Sequence, residues 1–305
     1  MIDRRQFVGA AAGGALAWSL GACGQPSAEA PLYSISLAQW SMFRRFFDGD
    51  LDALDFPAFT RETFDISAVE YVNQFFMDKA KDSTFIGELR RRCDDNGVRS
   101  LLIMCDREGA LGDSDAAARQ QAVTNHYKWV EAAAYLGCHS IRVNAQSDGT
   151  WEEQRNYATD GLRSLSEFAA EFELNVIVEN HGGLSSNGTW LAEVISGVGL
   201  DNCGTLPDFG NFRVSENEEY DRYRGVEQLM PFARGVSAKS YGFDAEGNET
   251  TIDYRRMMRT VLDAGYRGHV GVEWEGREPG DIEGIRLTKA LLERVREELT
   301  PAYRA

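Results

Sequence analysis

The sequence predicts one (β/α)8 TIM barrel over residues 32–305, and three observations predict it. Short apolar runs recur roughly every thirty to forty residues, segments of helical periodicity lie between them, and several runs in the second half end on a carboxylate. A chain of 305 residues accommodates one large α/β domain, and no linker-like stretch divides it.

Eight runs qualify as strands: 32–40, 66–72, 99–105, 140–144, 175–179, 204–207, 235–240 and 269–275. Each is short and mostly apolar, as suits a parallel strand covered by helices. Helical periodicity marks 116–136, 151–172 and 253–264, the first rich in alanine. Gly97, Gly137 and Gly265 stand between a helical segment and the next strand, where a left-handed residue ends a helix. Alternation along the strands then assigns faces. In the last run Val270, Val272 and Trp274 share one parity and face the helices, which turns His269, Gly271, Glu273 and Glu275 toward the barrel axis. The same rule points Arg142 and Asn144 of the fourth run, and Glu179 and His181 of the fifth, inward. An open doubly wound sheet is the competing fold, but no Gly-rich phosphate loop follows the first run.

The amino end reads as an address. Arg4 and Arg5 before a short stretch of small apolar residues resemble a twin-arginine export signal. Leu20, Gly21, Ala22 and Cys23 resemble a bacterial lipobox, with Cys23 as the lipidation site; a plain cleavable signal is the competing reading. Residues 1–23 are then signal and 24–31 a tether. The expected location is the periplasm, with membrane attachment only through a lipid on Cys23.

Composition narrows the partners. A formal net charge of −16 repels phosphate backbones and anionic headgroups, which excludes nucleic acid as a natural partner. Hydrophobic content of 43% with 26% charged residues is that of a globular protein. Cys93, Cys105, Cys138 and Cys203 fall in or beside apolar runs without metal-like spacing, so inert core thiols are expected, with a disulfide left open by the oxidising compartment. Self-association into a homo-oligomer is also left open.

Glu179, Asp208 and Glu273 close the fifth, sixth and eighth runs, and a closed barrel brings them together. Three like charges in one cleft raise one another's pKa unless a cation neutralises them. A carboxylate-dominated site suits Mn²⁺ or Mg²⁺ best, with Zn²⁺ a further option.

These segments, ENHGG at 179–183, DFGN at 208–211, AKSY at 238–241 and GVEWEG at 271–276, carry a resemblance to the xylose isomerase-like barrels. That family covers sugar phosphate isomerases and epimerases, hydroxypyruvate isomerase, inosose dehydratase and the endonuclease IV type of repair enzyme. The resemblance runs from about Tyr33 to the carboxyl end. It implies a metal held by Glu179, Asp208 and Glu273, with a seventh-strand histidine or glutamine as fourth ligand. Here that position is Ser237, a poor ligand, which leaves the metal held by fewer protein groups, by a water on Ser237, or with help from His181 or Glu275. Lys239 shares the parity of Ser237 and either orients an anionic group or enolate or pairs with Asp208 or Glu275.

His181, Lys239, Arg142, Asn144 and Glu275 are the expected substrate-binding residues, with Gln39, Glu70 and Asn73 near the earlier tips. Trp40, Phe43, Phe46, Phe47, Phe75 and Phe76 offer either a saccharide platform or packing. The resemblance implies a metal-dependent isomerase or epimerase acting through an enediolate on a small carbohydrate, with Glu179 and Glu273 moving the proton. Export argues for a neutral or oxidised sugar, and the same enolate can end in β-elimination from a keto-glycoside or cyclitol. A nuclease is disfavoured by the four histidines and the charge. A Schiff-base aldolase using Lys239 and a non-catalytic sugar-binding lipoprotein are the remaining readings.

Overall fold

The computed structural model describes residues 30–304, so the signal, Cys23 and residues 24–29 of the tether lie outside the described residues. Eight parallel strands form: β1 Ser34–Ala38, β2 Ala68–Val72, β3 Arg99–Met104, β4 Ser140–Val143, β5 Asn175–Glu179, β6 Cys203–Leu206, β7 Val236–Ser240 and β8 His269–Trp274. Regular ladders join them in sequence order from β6 back to β1, then β8 and β7. The seam between β6 and β7 is closed by isolated parallel bridges at Thr205 with Ala233 and at Asp208 with Ser237. Through the second of these the Asp208 segment gains a fixed register against β7: Ser237 N–H donates to Pro207 O at 3.0 Å and Phe209 N–H to Ser237 O at 3.1 Å.

The first strand is shorter than the run 32–40 because the chain turns into a 3-10 helix, Gln39–Met42, directly after Ala38. Another, Asn73–Phe76, follows β2. Six of the helices between strands begin on a side-chain cap. Asp82, Asp115, Thr150, Asn187, Asp221 and Asp253 each accept a backbone N–H of the first turn, satisfying donors that the helix itself cannot. Gly97 and Gly137 cap their helices with φ of 61° and 77°, and Gly265, one residue past a helix cap, has φ of 82°.

Strand alternation splits the core as the parity rule predicts. Val176, Val178, Val270, Val272 and Trp274 pack outward among the helices. Ala38, Val72, Leu102, Met104, Ile177 and Leu206 form a small separate cluster inside the barrel. The interior therefore holds apolar and buried polar side chains together, often from the same strand. Cys93, Cys105, Cys138 and Cys203 are all buried and unpaired, so the disulfide left open above does not form among them. No helix among the described residues is long and apolar enough to cross a membrane.

Candidate active site

Three strand tips deliver one carboxylate each to the barrel axis: Glu179 ends β5, Asp208 lies two residues beyond β6, and Glu273 is the penultimate residue of β8. One oxygen from each lies within 4.8 Å of the others, and all three residues are buried. Burying three carboxylates is costly without compensation. Asn211 Nδ2 donates to Glu179 Oε1 at 2.8 Å, and the backbone N–H groups of Gly210 and Asn211 donate to Asp208 Oδ1 at 2.8 and 2.7 Å. Asn180 clamps this turn, receiving Asp208 N–H at 2.8 Å and donating to the carbonyls of Asp208 and Asn211.

Two buried cations flank the acids. Lys239 Nζ lies 2.8 Å from Glu273 Oε1, 3.2 Å from Glu275 Oε1 and 3.7 Å from Asp208 Oδ2. Burial disfavours its charge, but Asp208, Glu273 and Glu275 outweigh burial and hold the ammonium charged far beyond its usual range. Arg142 bridges Asp106 at 2.9 Å and Glu179 Oε2 at 2.5 Å. Its approach to Glu179 is an ion pair without hydrogen-bond alignment, so Glu179 Oε2 is buried with no hydrogen-bond partner. Ser237 takes the fourth position, its Oγ 2.8 Å from Asp208 Oδ2 and 2.6 Å from Glu273 Oε2.

The electrostatics separate the acids. Burial pushes Asp208 up to about 8, with Lys239 opposing and Glu273 and Glu179 adding to the rise. Burial also pushes Glu273 up, but Lys239 and Ser237 overcome it and hold its carboxyl below the usual range. Two observations fit a divalent cation here: the orphaned Glu179 oxygen and the neighbouring acid that burial drives toward protonation. An all-oxygen set of this kind suits a hard ion.

The remaining expected residues divide. Glu275 pairs with Lys239 and accepts a hydrogen bond from Trp40 Nε1 at 2.7 Å, but stands outside the carboxylate group. His181 is exposed at the rim, away from the acids, because the chain leaves the barrel after Asn180 and Ser185 and Ser186 hold the following turn. A histidine ligand is therefore not part of this constellation. Asn144 donates to Asp106 at 2.8 Å, tied to the same acid as Arg142. Trp40, Phe43, Phe47 and Phe75 do assemble, with Trp40 stacked on Phe43 at 5.0 Å between centroids and Phe47 54% exposed. Phe76 instead packs in the core.

Asp106, just past β3, escaped the sequence reading. It orients Arg142 and Asn144 and also accepts from Gln74. Burial opposes its charge, but these donors prevail and hold it at about 2. The signal was present, since Asp106 ends an apolar run as the other acids do. Deeper in the barrel, Glu70 accepts from Ser36 Oγ at 2.6 Å and keeps one oxygen unpartnered. Burial raises Glu70 to about 7 against the Ser36 bond, with Glu273 and Glu179 adding to the rise. It fits only because residue 271 is glycine, where a Cβ would stand 2.5 Å from Glu70 Oε1.

Fold and site together define a (β/α)8 barrel with an acidic centre suited to a divalent metal. The chain belongs to the xylose isomerase-like TIM barrel family, whose model matches residues 62–297. It is similar to the C-glycoside deglycosidase alpha subunit of Arthrobacter globiformis, with 38% identity over 76 residues, or 23% of this chain and 22% of that protein. Less than a quarter of that relative is thus spanned. Among solved structures it is similar to 3-keto-D-glucoside 4-epimerase from E. coli, at 16% identity and a TM-score of 0.67, covering 86% of this chain and 99% of that one. A xylose isomerase-like TIM barrel protein from Mycobacterium smegmatis, in complex with magnesium, gives 17% identity and a TM-score of 0.66 over 89% and 98%. At these identities the shared property is the fold.

Proposed function

We propose that this chain is a sugar isomerase or epimerase that removes and returns the proton beside a carbonyl, passing through an enediolate. The carrying observation is the set of three buried carboxylates from β5, β6 and β8, flanked by Lys239 and Arg142. Glu179, Asp208 and Glu273 would hold the divalent ion, Mn²⁺ or Mg²⁺, with Ser237 beside them. Such an ion, when bound, polarises a carbonyl and makes the adjacent C–H more acidic. Glu179 and Glu273 come from different tips, so one can take the proton from carbon and the other return it. Lys239 and Arg142 keep these carboxylates in place and supply fixed positive charge where negative charge develops on oxygen. Asn211 and Asp106 fix the orientation of Glu179 and Arg142 through the bonds described above.

A second reading, elimination of a leaving group from a keto-glycoside, is favoured by the similarity to a deglycosidase alpha subunit. Both outcomes begin with the same proton abstraction. The resemblance of residues 1–23 to an export signal with a lipobox at Cys23 favours a place outside the cytoplasm, where keto-sugars suit the site better than sugar phosphates do.

Incubation with a 3-keto-glucoside in D₂O and Mn²⁺ tests the proposal. Exchange of the proton beside the ketone, followed by proton NMR, is the expected result, with loss in Glu179→Gln and Glu273→Gln. A new ring configuration marks epimerisation and a free aglycone marks elimination. Absence of exchange with Mn²⁺, Mg²⁺ and Zn²⁺ alike would refute it.

A further inference from the structure

Beside the carboxylate centre lies a cavity of about 580 Å³ between the loops that follow β5, β6 and β7. Asn211, which holds Glu179, forms part of its wall, so cavity and reaction centre share a residue. Tyr241 and His181 line it as well. Its wall is made by close packing: a Cβ at residue 210 would lie 2.3 Å from Tyr241 Oη and 2.7 Å from Lys239 Cγ, so glycine there lets Tyr241 reach the cavity above the buried lysine.

The charge of this wall is unlike that of the chain. In a protein of net charge −16, two arginines, Arg213 and Arg222, line one cavity. Arg213 stands on the first strand of a small hairpin, Arg213–Ser215 with Glu218–Glu219, inserted after β6. Among the described residues its side chain has no hydrogen bond or ion pair. Arg222 is tethered by Glu219 at 3.0 Å through Nη2, while its Nη1 is buried and has no partner. A buried guanidinium nitrogen left unbonded carries a desolvation cost that an oxyanion ligand would offset. Glu219 neutralises one of the two cations, and the other is left over.

From this geometry we infer that the cavity is a specificity subsite for a carboxylate borne by the substrate away from the reacting ketone, on its aglycone or second ring. The inference rests on the enolising reading for which end of the substrate reacts. The anionic end is read from the cavity alone. Arg213 and Arg222 grip the carboxylate, and Tyr241 supplies an aromatic wall for the group carrying it.

Equilibrium binding separates this claim from the chemistry. The probes are 4-carboxyphenyl β-D-glucoside and its neutral 4-carbamoylphenyl counterpart, titrated calorimetrically into the full chain loaded with Mn²⁺. We expect the acid to bind about tenfold more tightly, the worth of one good charge-assisted hydrogen bond, and the gap to shrink with salt. Arg222→Gln should erase much of the preference. Arg213→Glu, a change at an exposed hairpin position that leaves the core intact, should reverse it, with an unchanged melting temperature as the folding control. Equal binding of the two probes by the wild type, or a preference that survives Arg213→Glu, overturns the inference. Deuterium exchange on a keto-glucoside reads the chemistry independently, so either claim can fail alone.

Discussion

Replacing Lys239 with methionine keeps an unbranched side chain as far as Cε and removes the charged end. Lys239 is 1% exposed, and its ammonium sits 2.8, 3.2 and 3.7 Å from Glu273, Glu275 and Asp208. At an effective dielectric of about 20 the nearest pair alone is worth about 6 kcal/mol before desolvation. Glu275 is 29% exposed, so its share is reduced by solvent. Removing one partner from a buried ion pair costs about 3–5 kcal/mol net, because the acids left behind have no cation. In a large domain that corresponds to a fall in melting temperature of roughly 10 °C. Thermal denaturation of both proteins at pH 7.5 with EDTA is the assay, repeated with excess Mn²⁺. The ion should restore most of the loss, since it neutralises the same carboxylates. A fall below about 2 °C in EDTA would show that the acids are solvated or protonated and that Lys239 does not hold the centre together.

Glu70→Gln should flatten the pH dependence of the chelated protein. With a native pKa of about 7 against 4.5 unfolded, the native state binds the extra proton, so wild-type stability falls as pH rises from 4.5 to 7. The variant should lack that fall and be about 3 kcal/mol better off at pH 8 relative to pH 4, read from urea midpoints at the two pH values. Ser237→His adds an imidazole to an all-oxygen set and should raise preference for Zn²⁺ over Mg²⁺ at least about tenfold in a chelator competition. Gly210→Ala drives a methyl into Tyr241 and Lys239 and should cost about 1–3 kcal/mol of stability while weakening aromatic ligands, measured by denaturation and calorimetry.

Much of this architecture was legible because parallel strands announce themselves twice, by β-branched runs and by alternation. Asn175–Glu179 forms over the range expected, and the parity that places Glu179 and Glu273 inward is the parity observed. Where the reading failed, the deciding forces act at a distance in sequence. The expected run reaches Trp40, yet Gln39 accepts Val72 N–H at 2.8 Å and the chain turns into the 3-10 helix after Ala38. Little in 213–219 announces a hairpin, since four of its seven residues are charged. Lys239 offered enolate stabiliser or salt bridge as alternatives; its pairing with Glu273, 34 residues away, emerges only when β7 and β8 lie side by side. His181 was drawn inward by strand parity, which ends where the strand ends.

The serine between Asp208 and Glu273 keeps a tally. Its hydroxyl has one hydrogen but lies within bonding distance of an oxygen on each side, and it can donate to only one of them. The other contact is satisfied when that carboxyl is itself protonated and donates to Oγ, and Asp208, driven up to about 8, is the group that complies. A dication that binds this oxygen therefore competes with the proton for it. Uptake of the ion is expected to release protons, so its apparent affinity should fall as pH falls and the heat of binding should change with the ionisation enthalpy of the buffer.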